Sequence, residues 1–132
     1  MKGYTDLEQS KKLAEMLPIE SADMCYIKHA SSNNPAWRFD NDIPPMILGD
    51  VPINEITAET LPCWSLPALL DVIPKHIKDY NVLRIDISDN DFAVWYDGIG
   101  CGVNDDLPNI TADSSVDACV EMIIKLNELK ML

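Results

Sequence analysis

Basic side chains are scarce in this chain. Ten lysines and arginines and two histidines face twenty-two aspartates and glutamates, leaving a formal net charge of −12 over 132 residues. Such a charge repels phosphate backbones and anionic headgroups, which argues against direct nucleic-acid binding and against a membrane surface. Long apolar runs are also missing. No stretch approaches the roughly 18 apolar residues of a membrane span, and "MKGYTDLEQSKK" carries no apolar core after its first lysine, unlike a secretory leader. A cytoplasmic protein is expected. Cysteine is sparse, at positions 25, 63, 101 and 119, and no pair has the two-residue spacing of a zinc knuckle. Four reduced, mostly buried thiols and no bound metal are expected. Glycine is also scarce, five residues in all, yet three of them fall at 98, 100 and 102.

The residues that are present suit an ordinary folded domain. Hydrophobic residues make up 47% and charged residues 24%, a globular rather than a disordered composition. One α+β domain spanning 1–132 is expected. "TDLEQSKKLAEMLP" predicts a helix with Thr5 and Glu8 as a capping box, Leu7, Leu13, Ala14, Met16 and Leu17 as its apolar stripe, and Pro18 as its end. "ADMCYIKHA" alternates as a strand, "SSNNP" is a turn, and "AWRFDND" and "PPMILGD" are short strands that Pro44, Pro45 and Pro52 confine to an edge. "LPCWSLPALLDVIPKHIKDY" predicts a second helix, capped by Ser65 with Pro67 in its first turn, and a further short turn after Pro74. "VLRIDIS" and "FAVWYDG" form the clearest hairpin, with Leu83, Ile85 and Ile87 toward the core and Val82, Arg84, Asp86 and Ser88 toward water. "CGVNDDLPNITAD" reads as irregular. "SSVDACVEMIIKLNELKML" is the strongest helix, opening at Ser114 with Asp117 in its first turn. The predicted order is α-β-β-(β)-α-β-β-α, with about three helices on an antiparallel sheet of about four to five strands.

The glycine stretch "DGIGCGVNDD" fits none of the established ligand loops. A dinucleotide loop needs a third glycine opening a helix, but residue 103 is Val; a P-loop needs lysine and Ser/Thr. Asp97, Asp105 and Asp106 would repel a phosphate. An EF-hand loop wants oxygen ligands where Ile99 and Cys101 stand. Two readings remain: a looser ligand or calcium site from Asp97, Asn104, Asp105 and Asp106, or a strand bend that another backbone approaches closely. Cys101 as a nucleophile with His29 or His76 as base would need a cationic setting to lower its pKa, and its neighbours are acidic. Cys25 and His29 lie about 13 Å apart on a strand at about 3.3 Å per residue, too far to share an ion. Trp37 and Arg38, in "PAWRF", are the exposed aromatic–arginine pair most suited to an interaction hot spot.

From Ile85 to Ile124 there are nine acids and no lysine, arginine or histidine. Asp113, Asp117 and Glu121 recur every four residues. The run is either a solvated face or a docking surface for a basic protein, built from residues such as Asp97, Asp105, Asp106, Asp113 and Asp117. Three segments, "DLEQSKKLAEMLPIESADM", "PCWSLPALLDVIP" and "DACVEMIIKLNELKML", resemble small acidic proteins without assigned activity encoded in gut Bacteroidetes genomes, often among phage genes. The resemblance covers about a third of the chain, through helix-packing patterns. It implies an accessory protein of a mobile element and carries over no cofactor or catalytic residue. The expected function is a non-enzymatic modulator that binds a basic macromolecule through its acidic surface. The alternative is a small enzyme or ligand-binding domain with a pocket near residues 97–106.

Overall fold

The computed structural model describes residues 3–31, 34–39, 43–48, 60–77, 81–98 and 107–132; the side chains of 29–31 and 34–38 fall outside that description. The chain divides into two compact units, Tyr4–Ala68 and Leu69–Leu132, the latter with Met1–Gly3. Helices and antiparallel strands mix in both, so the α+β class holds.

In the Tyr4–Ala68 unit, α1 (Leu7–Ala14) opens from Asp6. The Asp6 carboxylate accepts the Gln9 amide at 2.8 Å, and the Gln9 side chain accepts the Asp6 amide at 3.1 Å. This capping box sits one residue later than Thr5–Glu8, because Thr5 is fully buried and engaged elsewhere. The three-stranded sheet runs β4 (Met46–Ile47), β1 (Met24–Ile27), β5 (Thr60–Cys63), all antiparallel. A separate pair joins β2 (His29–Ser31) to β3 (Asn34–Arg38). β5 occupies residues just ahead of the expected Ser65 cap, where no strand was expected. Leu61 and Cys63 are buried while Thr60 and Pro62 are half-buried, a period of two that suits pairing with β1.

Thr5 is the polar centre of this unit. Its hydroxyl accepts the Trp64 amide at 3.1 Å and lies 2.7 Å from the Ser10 hydroxyl and 3.5 Å from the Cys63 sulfur. Its carbonyl accepts the Tyr26 hydroxyl at 2.8 Å, and its amide donates to the Trp64 carbonyl at 3.0 Å. The start of α1, β1 and the end of β5 are thereby tied through one residue. Burial pushes the Tyr26 phenol and the Cys63 thiol up, so both remain donors at neutral pH. Thr5→Val keeps the shape but orphans the buried Trp64 amide. It should lower stability by about 1–3 kcal/mol in urea unfolding, with Thr5→Ser losing distinctly less.

The Leu69–Leu132 unit carries an antiparallel meander: β6 (His76–Ile77), β7 (Asn81–Ile87), β8 (Phe92–Asp97) and β9 (Ile110–Ala112). β6 replaces the short turn expected after Pro74, and β9 lies in the segment read as irregular. The chain enters β6 from α2 (Leu66–Val72), within which the division between the units falls. The α2 start agrees with expectation: the Ser65 hydroxyl accepts the Ala68 amide at 3.4 Å, and Pro67 lies in the first turn. α3 (Ser115–Glu128) packs on β8 and β9, burying Val116, Ala118, Cys119, Val120, Met122, Ile123 and Leu126 against Val94, Tyr96 and Ile110. Ser114 caps it through the Asp117 amide at 3.1 Å, as expected. At its other end Met131 donates to the Leu126 carbonyl and Lys130 to that of Asn127, at 2.9 and 3.1 Å. This is a Schellman ending with Lys130 in the left-handed region, φ 57°, where glycine is favoured. Lys130→Gly should therefore stabilise the chain by about 0.5–1 kcal/mol in thermal or urea unfolding.

Candidate functional site

The β7–β8 hairpin forms as predicted, closed by Ser88 and Asp91: the Ser88 amide donates to the Asp91 carbonyl at 2.9 Å, and the Asp91 amide to the Ser88 hydroxyl at 3.2 Å. Its register pairs Leu83 with Tyr96, Ile85 with Val94 and Ile87 with Phe92. These residues share one face, and at Val94 and Tyr96 that face is fully buried. Ile85 and Ile87 were expected in the core. They lie on the correct face but are 38% and 77% exposed. Alternation sets which face a side chain takes; burial also needs a covering layer, and the cover ends before the hairpin tip.

Acids gather at that tip. Asp86, Asp89 and Asp91 are all exposed. Phe92 pairs with Ala112 across β8 and β9, so Asp91 and Asp113 come to the same end of the sheet, and Asp113 is exposed too. The Asp86 carboxylate accepts the Trp95 indole N–H at 2.7 Å, which steadies one acid without covering it. Two apolar side chains in an acidic rim thus mark the hairpin end of the sheet. The exposed isoleucines were legible as an alternating strand, but nothing local in the sequence marks where their cover stops.

Of the residues singled out from sequence, Asp97, Asp113 and Asp117 are described with their side chains. Asp97 is buried on β8, its carboxylate 3.5 Å from the Arg84 Nε; it stabilises the sheet's outer face rather than presenting charge. Asp113 joins the acidic end, while Asp117 is half-buried in the first turn of α3. Trp37 and Arg38 belong to β3, paired with Ala30 and His29, and their side chains lie outside the described residues. Asp105 and Asp106 also lie outside them, as do Asn104, Cys101, Gly100 and Gly102. The pocket expected near residues 97–106 therefore falls almost wholly outside the described chain. A cleft of about 400 Å³ opens elsewhere, between Leu70, Lys75 and His76 on one side and Arg84 and Ile85 on the other. Among the described residues no group of three or more His, Cys, Asp or Glu side chains is placed to hold a metal ion. No described helix is long and apolar enough to cross a membrane.

The described cysteines, Cys25, Cys63 and Cys119, are free and buried. Burial raises all three thiols, Cys119 to about 11 from an ordinary 9.0, with Lys75 opposing the rise. A thiol held protonated is a poor nucleophile, so none of the three suits covalent catalysis. Comparison with known proteins finds no match: no family model, no curated protein and no solved structure.

The raised Cys119 thiol sets a pH window. The unfolded thiol loses its proton near pH 9.0, while the folded one keeps it to about 11. The unfolded state binds fewer protons in that interval, so the contribution is full below pH 9 and falls as pH rises to about 11. Urea unfolding at successive pH values should show stability declining through this range, and Cys119→Ala should decline less steeply.

Proposed function

We propose that this chain is a non-enzymatic interaction protein that binds a basic macromolecular partner at the hairpin end of its β6–β9 sheet. The observation that carries the reading is Ile87, 77% exposed, in the company of Asp86, Asp89, Asp91 and Asp113. An apolar centre supplies affinity by losing water, and a charged rim selects the partner and speeds encounter. The net charge of −12 supports a protein partner over nucleic acid or lipid, and with it a cytoplasmic setting. The resemblance to phage-associated proteins suits a modulator of a host's nucleic-acid-binding protein, whose own surface is basic.

Exposed charges are screened over about 8–10 Å at moderate salt, so binding through this rim should weaken steeply between low and physiological ionic strength. The wild-type chain immobilised in a host lysate should retain basic proteins at low salt and release most of them at physiological salt. The variant with Asp86, Asp89, Asp91 and Asp113 changed to Asn should retain few at either. Identical partners on the variant would mean that these acids only solubilise the chain.

A further inference from the structure

Backbone groups along β7 alternate in direction. Ser88 and Asp91 form a hydrogen-bonded pair, so in an antiparallel ladder the next such pairs are Asp86–Ala93 and Arg84–Trp95. Ile85 and Ile87 therefore turn their N–H and C=O groups away from β8. The Leu83 amide obeys the same alternation, donating to the Lys75 carbonyl at 2.9 Å on the β6 side. β6 pairs only with Asn81 and Val82. Beyond Lys75, among the described residues, no strand meets the outward groups of Ile85 and Ile87. An open strand edge bearing exposed isoleucines is a template for another strand.

We propose that the Arg84–Ile87 edge of β7 accepts an extended segment of the partner protein by strand addition, and that this segment alternates apolar and basic residues. One side of the added strand meets Ile85 and Ile87 and must be apolar. The other side meets Asp86, with Asp89 and Asp91 beyond, and is matched by lysine or arginine. Opposite Arg84 the charge preference reverses, so the basic residues gather toward the hairpin tip. The cleft beside Lys75 and Arg84 leaves room for the segment to run past its last backbone pair.

A second copy of this chain fits the edge poorly. The two-fold register that sets Arg84 against Asp86 of the other copy puts its Ile87 where Lys75 already pairs with Leu83. Registers that clear Lys75 bring the acidic tips of the two copies together, and like charges there oppose association.

The inference rests on the hairpin end being the binding surface and adds the mode of binding. The probes are a short acetylated, amidated peptide alternating valine and lysine, the same peptide N-methylated on alternate residues, and an oligolysine of equal charge. All are titrated against the full chain and against Ile85→Pro, whose missing N–H is an outward one that leaves the β8 ladder unbroken. The valine–lysine peptide should bind at least about tenfold tighter than its N-methylated form, the equivalent of one lost hydrogen bond or more. It should lose a similar factor on Ile85→Pro, and amide exchange at Ile85 and Ile87 should slow when it binds. If Ile85→Pro does not melt cooperatively, the N-methylated peptide and the exchange measurement decide. Equal binding of the two peptides, no slowing of Ile85 and Ile87 exchange, or oligolysine binding as tightly, overturns strand addition while leaving the acidic binding surface in place. Absence of binding by all three probes at low salt overturns both. Dimerisation of the free chain that Ile85→Pro abolishes would show the edge to be occupied by a second copy and overturn the proposed occupant.

Discussion

Leu83 donates its amide to the Lys75 carbonyl, and on that side of β7 the described pairing goes no further. The reason lies in the three residues before β6. The next group in register, the Ile73 amide opposite Ile85, donates instead to the Leu69 carbonyl at 3.2 Å at the end of α2, and the Pro74 carbonyl accepts the Tyr96 hydroxyl at 2.7 Å. The Lys75 ammonium donates to the carbonyls of Leu70 and Ile73, where α2 ends, a favoured place for a cation. The chain thus arrives from a helix, is held at Pro74 and Lys75, and enters the sheet with only two residues of strand. β7, seven residues long, outruns it. The open edge and the notch beside Arg84 both follow from that mismatch in length.

The two units solve burial differently. Thr5 and Ser10 are buried in a core with Tyr26, Leu61 and Cys63, and this works because each polar group is matched: hydroxyl, carbonyl and amide all find partners, and among the described residues no buried side-chain polar atom lacks one. Under α3 the interior is almost wholly apolar, and its order comes from shape, with Met122, Ile123 and Leu126 fully enclosed. The apolar face stays uncovered at Ile85 and Ile87, where the covering layer stops.

Pattern in the sequence reaches as far as neighbouring residues reach. The hairpin at Ser88–Asp91 and the Ser114 cap of α3 are local, and both are legible. Thr5-x-x-Glu8 and Asp6-x-x-Gln9 satisfy the same capping template one residue apart. What separates them is the Trp64 amide, distant in sequence, which claims the Thr5 hydroxyl. β5 was hidden for a related reason: its alternation is short and runs into a genuine helix signal at Ser65 and Pro67. Asp97 resembles any other acid of the run until the β7–β8 register sets it beside Arg84. Asp86, Asp91 and Asp113 were each visible as acids, but their common end of the sheet depends on the pairing of Phe92 with both Ile87 and Ala112.

The enclosed thiols carry a consequence for chemical durability. Peroxides and disulfides attack thiolate, and sulfenic acid forms first where a cysteine is both ionised and reachable. Cys25, Cys63 and Cys119 are neither while the chain is folded. Oxidative damage at these three positions is therefore gated by opening of the fold, and the rate at which an oxidant consumes them becomes a clock for how often each unit opens.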